Sequence, residues 1–166
     1  MTTAPTNGMP ATGVVPATEG ARGVPGGPPG GPRQLVSLDR AACLDLLATA
    51  EVGRLVFTVR ALPEVFPVNF RLFEGSVVVR VGDTSRAVAG AVDAVVAFQT
   101  DDIDAGSRTG WSVTVVGHSS EVLDPVERAR VLALPLEPWA GGPRDRILRI
   151  PLDRVTGRRL AVAPLR

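Results

Sequence analysis

The stretch Val77-Val78-Val79-Arg80-Val81-Gly82-Asp83-Thr84-Ser85-Arg86-Ala87-Val88-Ala89-Gly90-Ala91-Val92 decides how this chain is read. Its first half is a run of β-branched residues, the pattern of a buried strand. Gly82-Asp83-Thr84 turns the chain and offers helix N-cap chemistry, and an Ala-rich helical stretch follows. Arg80, Ser85 and Arg86 therefore gather where a strand hands over to a helix. Free backbone N–H groups and the helix dipole favour an anion there. Arginine adds a planar fork of donors that matches phosphate oxygens. The expectation is a site for a phosphate-bearing ligand.

Working outward, the same alternation of strand and turn signals recurs. Strands are expected at 54–59, 64–72, 76–81, 94–100, 111–122, 146–150 and 153–163, the last partly broken at Gly157. Pro67 inside the second of these places it at an edge or a bulge. Gly117 is a further candidate for a bulge or bend. Residues 101–110 read as a polar loop. Ser37 is the expected cap of a helix to about Ala50, and Asp124-Pro125 opens a short helix to about Leu134. Six or seven strands in short antiparallel meanders, with few helices, suggest a small closed or split β-barrel, a mainly β fold. No internal repeat and no doubly wound βαβ series is visible.

The first 33 residues differ in kind. Fifteen of them are Gly or Pro, and large apolar residues are scarce. Such a stretch cannot bury enough surface to offset its ordering entropy, so 1–33 is expected to be a disordered tail and 34–166 the single domain. The tail lacks the basic-then-apolar order of a secretory signal, and no apolar run is long enough to span a membrane. With net charge +1 and acids and bases interspersed, the chain lacks the concentrated basic face of a nucleic-acid binder. The lone Cys43 excludes an internal disulfide or a cysteine-cluster metal site, and a cytoplasmic protein is expected. Every one of the 18 cationic residues is Arg.

The ordered set Val52-Gly-Arg-Leu-Val-Phe-Thr58, Phe66-Pro-Val-Asn-Phe70, Val79-Arg-Val-Gly-Asp-Thr-Ser-Arg86, Val96-Ala-Phe-Gln-Thr-Asp-Asp102, Thr109-Gly-Trp-Ser-Val113 and Arg149-Ile-Pro-Leu-Asp-Arg-Val-Thr-Gly157 resembles the pyridoxamine 5′-phosphate oxidase-like family of flavin-binding split barrels, in its small actinobacterial branch. The resemblance spans roughly 35–160 and rests on the set, not on any one motif. It implies an FMN-binding barrel that dimerises with the cofactor at the subunit interface, and a redox reaction on a small molecule. Arg80, Ser85 and Arg86 match the family's phosphate segment, with Arg86 in the place of a lysine. Pro67, Val68 and Asn69, with the backbone of Val79, Arg80 and Val81, match the strands that edge the flavin ring. Phe70 stands where the family has a tyrosine, which removes a hydroxyl. Trp111 and Ser112 belong to the same cofactor surface.

Each of these residues has a plainer reading. Arg80 and Arg86 could be solvated charges and Ser85 only a cap. Asn69 could satisfy local backbone groups, because a buried amide must find partners of some kind. Trp111 suits the core as well as a ligand. Trp139 lies in a loop that could cover the barrel mouth or a partner. His118, the only histidine, lacks companions for a metal site, and no nucleophile elbow accompanies it. Asp101, Asp102 and Asp104 lack the glycine and distal glutamate of a calcium loop. No residue compels a catalytic assignment. The deazaflavin F420 is the alternative cofactor, and a non-catalytic flavin or haem binder, with His118 as the haem ligand, is the alternative of another class. Arg144, Arg146, Arg158 and Arg159 do not form a recognisable second phosphate cluster.

Overall fold

The computed structural model describes residues 32–82, 86–139 and 143–162, the side chain of residue 88 excepted. The Gly/Pro-rich tail to residue 31 and the expected anion turn 83–85, with Ser85, lie outside the described residues. In chain order the elements are β1 (Arg33–Leu38), α1 (Arg40–Thr49), β2 (Val52–Val59), β3 (Leu62–Phe73), β4 (Ser76–Val81), α2 (Arg86–Ala91), β5 (Ala94–Asp104), β6 (Thr109–Glu121), α3 (Pro125–Leu132), β7 (Arg146–Pro151) and β8 (Arg154–Val162).

All strand pairings are antiparallel, and the sheet order is β1-β8-β6-β5-β2-β3-β4-β7. The far end of β6 also pairs with β7, through Ser120↔Arg149 and Glu121↔Leu148. That contact closes six strands, β2 to β7, into a barrel. β8 then lies along the first half of β6, and β1 lies outside β8. The fold is the mainly β barrel that the strand spacing suggests, with eight strands in place of six or seven. The added strand, β1, is mostly exposed and shows no alternation, so the sequence carries no periodic signal for it.

β4 explains its own sequence. Val77, Val79 and Val81 point into the barrel core with Phe70 and Phe98. Val78 points outward into a second cluster with Val122, Val131, Leu136 and Ile147, beneath α3. A strand covered on both faces needs apolar residues at every step, which is the unbroken valine run. In the main core, the Phe70 and Phe98 rings lie 4.6 Å apart and Phe57 meets Phe66 edge-on at 5.2 Å. α1 adds Cys43 and Leu47 to this core, and α2 adds Ala87 and Ala91. Burial pushes the Cys43 thiol above its ordinary pKa, and Asp39 adds to the rise, in keeping with an inert core cysteine.

Four local expectations change. Ser37 does not cap α1; pairing of β1 with β8 continues to Leu38↔Gly157 and keeps Ser37 extended. Asp39 is the cap, its carboxylate accepting from the Ala42 N–H at 2.8 Å. The polar loop 101–110 shrinks to 105–108, because the β5–β6 ladder runs on to Asp104↔Thr109 with both faces solvated. Gly117 marks no bulge: its register with Val96 is regular, and a Cβ there would sit 2.6 Å from the Pro151 carbonyl oxygen. β8 is likewise continuous through Gly157. No helix among the described residues is long and apolar enough to cross a membrane.

Candidate functional site

The β3–β4 ladder starts at a two-residue turn, Glu74-Gly75, with φ of 44° and 70°. It runs only from Phe73↔Ser76 to Phe70↔Val79. Beyond that pair the two strands part. Residues 62–69 of β3 keep β2 as their one neighbour, and Arg80 and Val81 keep β7 as theirs. The result is a cleft in which one strand edge on each side has no ladder partner. Pro67 lies on this open stretch, as its sequence implies. The Phe70 N–H donates to the Glu51 carbonyl, so even-numbered β3 residues bond toward β2 and odd-numbered ones face the cleft.

Side chains follow from the same alternation. Val68, Val79 and Val81 are buried in the core, and their backbone groups bond toward β2 or β7, so the cleft edges are formed by the backbone of Pro67, Asn69 and Arg80. Arg80 lies on the outer face of β4. Its Nε donates to the Arg144 carbonyl at 3.1 Å and an Nη donates to that of Leu136 at 3.4 Å. Asn69 accepts the Trp139 N–H through its Oδ1 at 2.9 Å. Arg80 and Asn69 thus fasten the segment after α3 against the cleft. Arg86, at the first residue of α2, forms an ion pair with Glu64 on the open stretch of β3. The guanidinium of Arg86 remains 63% exposed as a side chain.

Trp111 and Ser112 do not work as a pair. They are adjacent on β6 and face opposite sides. Trp111 packs partly against the core and lines a cavity with Glu51, Asp102 and Trp139. Ser112 lines a polar groove with Thr114, Thr156 and Arg158. The structure therefore brings Pro67, Asn69 and Arg80 to one cleft, with Val68, Val79 and Val81 behind them in the core and Arg86 paired to Glu64 on the open stretch. Trp111 joins them only through Trp139 and Glu51, and Ser112 does not join them. Glu64 and the carbonyls of Leu136 and Arg144 are contacts that no residue pattern signals, since they exist only once β3, β4 and the α3 loop are assembled. His118 is exposed, and among the described residues no group of three His, Cys, Asp or Glu could hold a metal ion.

Displaced titrations lie elsewhere. The Arg146 hydrogen bond holds the Glu121 carboxyl below its ordinary value, and Asp104 is lowered by bonds from the Ser107 hydroxyl and the Gly106 and Ser107 amides. The cleft offers guanidinium donors and open peptide edges, with no nucleophile and base in contact among the described residues. That donor set fits the binding of a flat polar ring bearing a phosphate.

A closed six-stranded antiparallel barrel in which two neighbouring strands part along their length is a split barrel. The sequence model described as pyridoxamine 5′-phosphate oxidase matches residues 39–159. An uncharacterized protein of Mycobacterium tuberculosis, Rv0080, is 43% identical over 133 residues, covering 77% of this chain and 87% of that protein. Among solved structures, an FAD binding protein from Mycobacterium smegmatis superposes with a TM-score of 0.64 at 32% identity, over 74% of this chain and 95% of its own. A conserved protein of unknown function from Corynebacterium diphtheriae gives 0.66 at 30% identity, over 76% and 98%. The chain belongs to the pyridoxamine 5′-phosphate oxidase family.

Proposed function

We propose that this chain is a flavin-dependent oxidoreductase that binds FMN in the cleft between β3 and β4 and acts on a small molecule as a homodimer in the cytoplasm. The observation that carries the reading is the parting of β3 and β4 beyond Phe70↔Val79, which leaves strand edges without a ladder partner, with Arg80 on one of the parted strands and Arg86 ion-paired to Glu64 on the other. Arg86 and Ser85 are assigned to the phosphate, with Arg80 contributing from the outer face of β4. Within the stretches 67–69 and 79–81, the backbone of Pro67, Asn69 and Arg80 is assigned to the ring edge. A bound flavin supplies the redox chemistry; the protein supplies binding, orientation and the exclusion of water. Family membership and the FAD-binding relative of M. smegmatis support a flavin. The open β3 edge and the exposed Leu62 and Val65 on it support a second copy as the cover of the cleft.

The test is direct. The protein is purified from a host that makes FMN, FAD and F420, its visible spectrum is recorded, and released cofactor is identified by mass. Stoichiometric FMN is the expected result. FAD, the ligand named for the M. smegmatis relative, or F420 would keep the site and change the cofactor. A Soret band that disappears in His118→Ala would replace the flavin reading with haem, and a colourless protein that takes up no added flavin would refute it.

A further inference from the structure

Both tryptophans of the chain line one groove, and the proposed cofactor site uses neither as a phosphate or ring-edge contact. A cavity of about 360 Å³ has Trp111 and Trp139 among its walls, together with Glu51, Asp101 and Asp102. It continues in both directions. It shares Trp139 and Glu51 with a cavity of about 230 Å³ that reaches Asn69, and Trp111 and Asp102 with one of about 440 Å³ beside β8. Trp139 is 75% exposed, while its backbone N–H is pinned to Asn69. A fixed backbone thus sets an open indole at the wall of the groove.

The charge on the walls narrows the partner. None of the residues lining the middle cavity is cationic. Two of its carboxylates are already engaged: Glu51 with Arg71 at 3.1 Å, and Asp101 with Arg54 and with Gln99. The Asp102 carboxylate makes no ion pair and no hydrogen bond among the described residues. The three acids are not grouped closely enough to hold a metal ion. Indole faces attract cations through the ring quadrupole, and most strongly those with a weak hydration shell. An anion or a neutral polar ligand finds no donor-rich wall in the middle cavity, Arg71 and Arg159 lying in the cavities on either side.

The geometry points to a binding site for an organic ammonium ion with an aromatic or apolar body, its ring against Trp111 and Trp139 and its charge on Asp102. The site adjoins the cleft and stands independently of the flavin reading.

The chain has two tryptophans and no tyrosine, so its intrinsic fluorescence comes from the two walls. Benzylammonium chloride, benzyl alcohol and sodium benzoate are titrated separately into the full chain at fixed ionic strength. Benzylammonium is expected to change the emission saturably. Benzyl alcohol should bind about tenfold more weakly, and benzoate not measurably, if charge and quadrupole act together. Asp102→Asn should weaken benzylammonium about tenfold and leave benzyl alcohol unaltered. Trp139→Phe and Trp111→Phe each leave one emitter, and both should still respond, with lower affinity. Circular dichroism verifies that each variant is folded. Equal affinity for alcohol and ammonium, no saturable response, or indifference to Asp102→Asn in a folded protein would overturn the assignment. Flavin uptake, read at visible wavelengths, succeeds or fails separately.

Discussion

Replacing Arg86 with alanine separates ligand binding from folding, which replacing Arg80 does not. The described partner of Arg86 is Glu64, and the two side chains are 63% and 21% exposed. An ion pair open to water on one side contributes at most about 1 kcal/mol, so Arg86→Ala should move the urea midpoint little. Arg80 instead holds the carbonyls of Leu136 and Arg144. Its loss would free the α3 loop at a cost of about 1.5–3 kcal/mol and blur any effect on binding. At the proposed site Arg86 gives a charged hydrogen bond to phosphate. Removing it should cost about 2 kcal/mol of affinity, roughly 30-fold in Kd for FMN. Riboflavin has the same ring and no phosphate, and its affinity should stay within about twofold, the effect of a few tenths of a kcal/mol. Both ligands are titrated with wild type and variant by the change in flavin fluorescence. Equal losses for FMN and riboflavin would refute a phosphate role, as would an unchanged Kd for both.

Other outcomes follow from packing and titration. Gly53→Ala places a Cβ 2.1 Å from the Phe98 ring and 2.9 Å from the Gln99 carbonyl oxygen, so β2 or the core must shift; a loss of about 1–3 kcal/mol in urea unfolding is expected. Asp39→Ala removes the α1 cap and should cost about 1 kcal/mol, with little change in the strand signal of the circular dichroism spectrum. Glu121 has its carboxyl held below the ordinary 4.5, chiefly by the Arg146 hydrogen bond. The pair therefore stabilises the fold fully above about pH 4.5 and loses that contribution as pH falls through the lowered value. Glu121→Gln should flatten this acid limb in a pH series of thermal unfolding, and an unaltered limb would contradict the assignment.

Much of the barrel is legible because its strands carry two-fold alternation or, in β4, the valine run of a doubly covered strand. The turns are legible for the same local reasons: Glu74-Gly75 has positive φ at both positions, and Asp124 caps α3. β1 is not legible. It is an exposed outer strand defined by β8, with no apolar face of its own. Ser37 misleads because its capping chemistry is good locally, and pairing with β8 prevails over it. The candidate cleft is half legible. Arg80 and Arg86 stand out by their place between strand and helix, whereas Glu64 and the two loop carbonyls are brought in by tertiary contact alone. Trp139 gives no signal in sequence beyond being a tryptophan in a loop; only assembly aligns it with Trp111.

The open stretch of β3 bears on how the chain meets other strands. A bare strand edge invites another chain to add to it, because its peptide groups come in matched donors and acceptors. Here the outward-facing residues are Pro63, Val65, Pro67 and Asn69, and the two prolines have no N–H to give. The Asn69 carbonyl is taken by the Phe70↔Val79 end of the ladder, so at 63, 65 and 67 three acceptors stand beside one donor. A stray strand arriving there, whether from a misfolded neighbour or a nascent chain, finds most of its carbonyls unanswered. The edge accepts hydrogen bonds more readily than it returns them, which discourages endless strand addition while leaving the cleft open to a ligand that donates.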